Sequence, residues 1–141
     1  MMSQNADHVL TTAPAIAVVD DDESIRRALY RLLRSDGLAS ATFASAHEFL
    51  EAHRRQHFVC VILDVYMGRM SGLDLAERMA SEGISLPIVL ITAHDDERIR
   101  ERAQGVGVSA YLRKPVDSQV LLDAVRRAAG IDAPPAVPSG A

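Results

Sequence analysis

The sequence predicts an α/β domain, a doubly wound parallel sheet of five strands with five helices on its two faces. Two observations carry that expectation. Apolar runs rich in Val and Ile stand at Ala15–Val19, Phe58–Leu63 and Pro87–Ile91, with shorter ones at Leu38–Phe43 and Val108–Leu112, and helix-spaced apolar residues separate each run from the next. The longer runs are continuous rather than alternating, which is the pattern of strands covered on both faces.

Residues 1–14 read as a flexible lead-in. Ala15 to Val19 is a strand that must surface at Asp20-Asp21-Asp22-Glu23, because four consecutive acids cannot continue through a core. Ile25, Ala28, Leu29, Leu32 and Leu33 then follow helical spacing, with Asp22 as N-cap and Gly37 at the C-terminus. Leu38 to Phe43 alternates weakly and is expected at a sheet edge. Ser45 and Glu48 form a capping box for a helix running to about His53 or Arg54.

Phe58 to Asp64 is the central strand, apolar until it ends in a carboxylate. A loop rich in Gly and Met leads to a helix carrying Leu73, Ala76, Met79 and Ala80, closed by Gly83. Pro87 to Thr92 is the next buried strand. Asp95 or Asp96 opens a charged helix through Gln104, whose inner face is only Ile99, Ala103 and Val106, so it is expected to be the least tightly held. Val108 to Leu112 is the last strand, Arg113-Lys114-Pro115 closes it, and Asp117 caps a helix with Val120, Leu121, Ala124, Val125 and Ala128 inward. The Pro-rich stretch 131–141 is expected to be disordered.

The 141 residues make one domain by length. A net charge of −4 with acids and bases interspersed argues against binding of a nucleic-acid backbone. Cys60 lies inside the central apolar run, the place of a small buried hydrophobe rather than a redox group. Met1 to Pro14 has no basic start followed by an apolar stretch, and no segment has the length of a membrane span. A cytoplasmic protein without membrane contact is expected.

Helices on both faces require the winding to reverse once, which opens a crevice at the carboxyl ends of the first and central strands. Asp20, Asp21 and Asp64 would line it. Three carboxylates together repel one another unless a cation neutralises them, and Mg2+, or Mn2+ in its place, is the hard ion that suits an all-oxygen site open to a phosphoryl group. The bland alternative for the acid run is a solvated helix N-terminus favoured by the helix dipole. Against it stand two further strand tips, where Thr92 offers a hydroxyl and Lys114 an ammonium. Together they define a phosphoryl pocket in which Asp64 is the nucleophile, Lys114 neutralises phosphoryl oxygens and Thr92 donates a hydrogen bond.

From Ile16 to about Ala129 the chain resembles the receiver domain of two-component response regulators. The matching motifs are Val18-Val19-Asp20-Asp21-Asp22, Leu63-Asp64-Val65-Tyr66-Met67, Met70-Ser71-Gly72, Ile91-Thr92-Ala93 and Lys114-Pro115. The resemblance implies a flavodoxin-like three-layer sandwich with strand order 2-1-3-4-5, occupying residues 15–130. It implies that Asp64 accepts phosphate from a sensor histidine kinase or a histidine phosphotransfer protein, that Asp20 and Asp21 hold Mg2+ with Asp64 and the main-chain carbonyl of Tyr66, and that a cis bond precedes Pro115. It further assigns Thr92 and Tyr111 to a switch that reshapes the face of residues 96–129 for partner binding or a phosphorylation-dependent homodimer. The chain would not be an enzyme beyond the gain and loss of its own phosphoryl group.

One departure from the family pattern is Gly68 where Pro is common, which loosens the loop carrying the Tyr66 carbonyl. Tyr66 and His94, each two positions beyond a site residue, are candidates for flanking the attacking water and setting the lifetime of the phosphate. A hydrolase with an aspartyl-phosphate intermediate would share the nucleophile but needs an acid near Asp64, and Tyr66 stands where familiar hydrolases of that type place a second Asp. A nucleotide- or flavin-binding module would need a glycine-rich loop after the first strand, where acids stand instead. Output has two readings. The chain is a free-standing receiver, or it is the receiver part of a longer regulator, since Ser45 to Leu50 resembles the corresponding part of receivers joined to a helix-turn-helix transcription factor.

Overall fold

The computed structural model describes residues 15–67 and 70–131. The lead-in at 1–14, the stretch 132–141 and the loop effect expected at Gly68 lie outside the described residues. In chain order the elements are β1 (Ala15–Val19), α1 (Glu23–Ser35), β2 (Ala39–Phe43), α2 (Ala46–His53), β3 (Cys60–Asp64), α3 (Gly72–Ser81), β4 (Ile88–Thr92), α4 (Glu97–Val106), β5 (Ala110–Arg113) and α5 (Ser118–Ala129). The sheet is parallel throughout, in the order β2-β1-β3-β4-β5. The fold class and strand order are those expected.

Strand β1 shows why the apolar runs are continuous. Ala15, Ala17 and Val19 enter one core with Phe49, Leu63, Leu75 and Met79, whereas Ile16 and Val18 enter a second with Leu33, Ile62, Leu121 and Val125. Both faces of the strand are dry, so neither tolerates a polar residue. Cys60 belongs to the second core, and burial pushes its thiol up to about 12, which leaves it unreactive. Among the described residues no helix is long and apolar enough to cross a membrane.

Several boundaries shift for local reasons. Strand β3 begins at Cys60, because Phe58 leaves the ladder to pack edge-on against Phe43 and beside Phe49. Strand β2 begins at Ala39, since Leu38 is buried in the second core directly after Gly37, whose φ of +77° turns the chain out of α1. Strand β5 runs Ala110–Arg113 rather than from Val108, and α4 continues past Gln104 to Val106, where Gly107 caps it left-handed. Asp96, not Asp95, is the N-cap of α4.

The capping box also moves. Ser45 Oγ accepts from Glu48 N–H at 3.2 Å, but the Glu48 carboxylate reaches Ala44 N–H instead of that of Ser45. The reciprocal pair is found at α3, where Ser71 Oγ accepts from Asp74 N–H at 3.0 Å and Asp74 accepts from Ser71 N–H at 3.1 Å.

Candidate functional site

The register of the sheet brings the acids together. Val19 pairs with Leu63 across β1 and β3, so the next residue on each strand, Asp20 and Asp64, emerges at the same edge. Both are buried, at 3% and 7% exposure, and the neighbouring Asp21 is exposed. One carboxylate oxygen from each of Asp20, Asp21 and Asp64 lies within 4.8 Å of the others. The acid run is therefore divided by role. Asp20 turns inward, and Asp22 caps α1 by accepting from Ser24 and Ile25 N–H groups, as its helix-start position predicts.

Asp20 is held at both ends. Its Oδ1 accepts from Asp22 N–H at 2.9 Å, and its main-chain carbonyl accepts from the Arg26 guanidinium at 2.8 Å. Burial, with Asp64 adding to it, pushes the Asp20 carboxyl up to about 6, while the Asp22 N–H and Lys114 oppose the rise. A buried acid facing two others with part of its charge uncompensated fits a hard divalent cation, since the donors are all oxygen.

Lys114 supplies the positive charge on the protein side. Its ammonium lies 3.3 Å from Asp64 and 3.8 Å from Asp20. It is also the chain's single lysine. Strand β5 delivers it, because Thr92 pairs with Arg113 and Lys114 N–H donates to Thr92 carbonyl at 2.8 Å. The Lys114–Pro115 bond is cis, as expected.

Asp64 has a second constraint that the sequence does not announce. A Cβ on Gly72 would sit 2.2 Å from the Asp64 carbonyl oxygen and 3.3 Å from the Leu63 side chain. Only glycine lets the start of α3 lie against the phosphoacceptor candidate, where Gly72 N–H also donates to Val65 carbonyl at 2.9 Å. The signal was present in the Ser71-Gly72 pair following the central loop, but its meaning needs the tertiary approach.

Thr92 is fully buried, yet its hydroxyl does not point freely into the crevice. It donates to His94 carbonyl at 2.8 Å and accepts from His94 N–H at 3.0 Å. His94 in turn stands edge-on to the exposed Tyr66 ring, centroids 5.2 Å apart, so the two candidates paired from sequence do meet. Tyr66 enters the site region through this ring, and the acidic cluster itself consists of the three carboxylates.

Tyr111 is half-buried on β5, and its hydroxyl donates to Asp95 at 3.3 Å. Asp95 also takes Arg100 in a two-bond pair and has Arg113 at 3.7 Å. Reading the sequence missed this cluster, because Asp95 looked like a helix cap.

An acidic cluster with a lysine at the carboxyl edge of a 2-1-3-4-5 sheet defines a class, and comparison with known proteins agrees. The family model described as "Response regulator receiver domain" matches residues 16–126. This chain belongs to that family. It is 39% identical over 120 residues to the transcriptional regulatory protein TdiR of Thauera aromatica, covering 85% of this chain and 53% of TdiR. To nodulation protein W of Bradyrhizobium diazoefficiens it is 41% identical over 115 residues, covering 82% and 51%. Among solved structures, the response regulator receiver protein from Burkholderia phymatum superposes with a TM-score of 0.76 at 43% identity, covering 86% of this chain and 99% of that one. The chain spans about half the length of the curated relatives it matches.

Proposed function

We propose that this receiver domain takes a phosphoryl group on Asp64 from a phosphohistidine of a partner kinase or phosphotransfer protein. The observation that carries the reading is the Lys114 ammonium 3.3 Å from Asp64 with Asp20 and Asp21 beside it. A carboxylate oxygen of Asp64 attacks phosphorus, the bond from phosphorus to the histidine nitrogen breaks, and an acyl phosphate forms. Lys114 is placed to neutralise the phosphoryl oxygens as they approach. Asp20, Asp21, Asp64 and the Tyr66 carbonyl would hold Mg2+, or Mn2+, which when bound offsets the charge of the carboxylates and of the incoming phosphoryl group.

Hydrolysis returns Asp64 and inorganic phosphate, so the mark is reversible without a further enzyme. Tyr66 and His94 stand over this step and set its rate. Replacing both with Ala should change the half-life of the phosphorylated chain by several-fold, followed as loss of the labelled species.

Thr92 and Tyr111 are the switch residues of this reading. A hydroxyl has one proton, so Thr92 can donate to a phosphoryl oxygen only by giving up His94 carbonyl. The β4–α4 loop then rearranges, and the face of residues 96–129 presents a different surface to a partner or a second copy. Signalling proceeds in the cytoplasm. The names of TdiR and its kin, transcriptional regulators of which this chain matches about half, favour an output in transcription over a free-standing receiver.

Intact mass after incubation with Mg2+ and a small phosphodonor tests the reading. The wild-type chain should gain one phosphoryl group, and neither Asp64→Asn nor a metal-free sample should gain it. No adduct together with no binding of beryllofluoride would overturn it.

A further inference from the structure

We infer that Asp95 is a positioning residue that latches Tyr111 and the β4–α4 loop in the resting arrangement, so that its release favours the phosphoryl-bound one. The inference rests on the receiver reading above. Three contacts converge on this one carboxylate, whose side chain is only 13% exposed. Tyr111 donates its hydroxyl to Oδ1 at 3.3 Å, Arg100 Nε donates to the same oxygen at 3.2 Å while its terminal nitrogen takes Oδ2, and Arg113 lies 3.7 Å from Oδ2.

The partners come from two elements, and Asp95 itself from a third segment. Tyr111 and Arg113 belong to β5, Arg100 to the first turns of α4, and Asp95 to the loop between β4 and α4. The carboxylate therefore ties the strand, the helix and the loop at a point three residues beyond Thr92. The loop is also fixed from its other end, since Thr92 Oγ1 binds both the carbonyl and the N–H of His94.

These two attachments share one short segment. Turning the Thr92 proton to another acceptor breaks its bond to His94 carbonyl, and the chain between His94 and Asp96, which caps α4 through Ile99 N–H, is too short to move at one end alone. Displacing that segment must disturb Asp95, and with it the seat of the Tyr111 hydroxyl. By the same coupling, an intact Asp95 cluster opposes withdrawal of Thr92. Arg100 keeps the Asp95 carboxyl ionised, held below the usual carboxylate range, so the tyrosine faces a charged acceptor.

Calorimetric or NMR-monitored titration with beryllofluoride and Mg2+ tests the latch in wild type, Tyr111→Phe, Asp95→Ala and the double variant. Tyr111→Phe removes only the hydroxyl, and Asp95→Ala changes a loop residue outside both cores. Each single variant should bind the mimic about 3- to 10-fold more tightly, because the competent state is no longer opposed. Once Asp95 is Ala, Tyr111→Phe should add nothing further. Affinities equal to or weaker than wild type overturn the latch, as do gains that add in the double variant. A wild-type chain that does not bind the mimic removes the receiver reading and the latch with it, and so is told apart from failure of the latch alone.

Discussion

Gly72 is the residue at which packing and chemistry are least separable. At Gly72 the first residue of α3 lies against the Asp64 carbonyl, where an added Cβ would sit 2.2 Å from that oxygen. Gly72→Ala is expected to destabilise the fold by about 1–3 kcal/mol, the range for forcing extra volume into a packed site. The same displacement shifts the backbone of Asp64, so phosphoryl uptake from a small donor should fall further than the loss of folded protein explains. Denaturant unfolding alongside the mass assay separates the two. Full stability with normal uptake would show that the α3 start can move away at no cost. The residue types around Asp64 were legible in the sequence as an acid run, a Thr and a Lys at strand ends. What was not legible was which of Asp20 and Asp21, both expected in the crevice, would be the buried one, because that choice is made by the pairing of Val19 with Leu63 on a different strand.

At the scale of elements, α4 has a thin apolar footing and a strong polar one. Only Ile99 and Ala103 are buried along it, as the sparse inner face of the sequence predicts. Arg102 compensates from the same helix. Its guanidinium holds Glu77 through two bonds at 2.7 and 3.1 Å and Asp74 at 3.1 Å, joining α4 to the first two turns of α3. Backbone N–H donation from Ser71, then Arg102, holds the Asp74 carboxyl below the usual carboxylate range. A depressed carboxylate contributes stability that is complete above its unfolded pKa and lost as pH falls through the folded value. Arg102→Ala should therefore cost about 0.5–1 kcal/mol at pH 7, modest because all three side chains are close to half exposed, and the difference from wild type should shrink below about pH 4. Unfolding at several pH values checks this, and a difference independent of pH would assign the effect to packing. Nothing in the local sequence announces a pair 25 and 28 residues apart, since helix periodicity gives a helix its inward face but not its neighbour.

For the molecule as a whole, the site is a point of stored electrostatic cost. Asp20 is raised to about 6 chiefly by burial, so at pH 7 it is ionised in the fold at a penalty. Removing that charge in Asp20→Asn keeps an acceptor for Asp22 N–H and should stabilise the metal-free chain on the order of 1–2 kcal/mol at pH 7. Mg2+ should stabilise wild type against unfolding by about 2.7 kcal/mol when present at a hundredfold its dissociation constant, and do much less for the variant. An equal response in both would take Asp20 out of the ligand set. The architecture was the most legible level of all. Continuous Val- and Ile-rich runs identify strands covered on both faces, and the motifs at their tips, once matched to receivers, imply the order in which they lie. The hydroxyl of Thr92, turned back on its own loop, is the opposite case, since a strand-end threonine looks the same in sequence whichever way it points.

The single lysine has a consequence outside signalling. Because every other cationic side chain capable of forming an ion pair among the basic residues is arginine or histidine, Lys114 is the chain's only side-chain amine. Any amine-directed reagent that modifies a side chain must do so 3.3 Å from Asp64, on a side chain one-quarter exposed whose nitrogen is flanked by two acids. Acylation there exchanges a cation for a neutral amide inside the acidic cluster. Total loss of side-chain amine is thus a direct count of chains whose crevice has been entered, read without locating the modified residue.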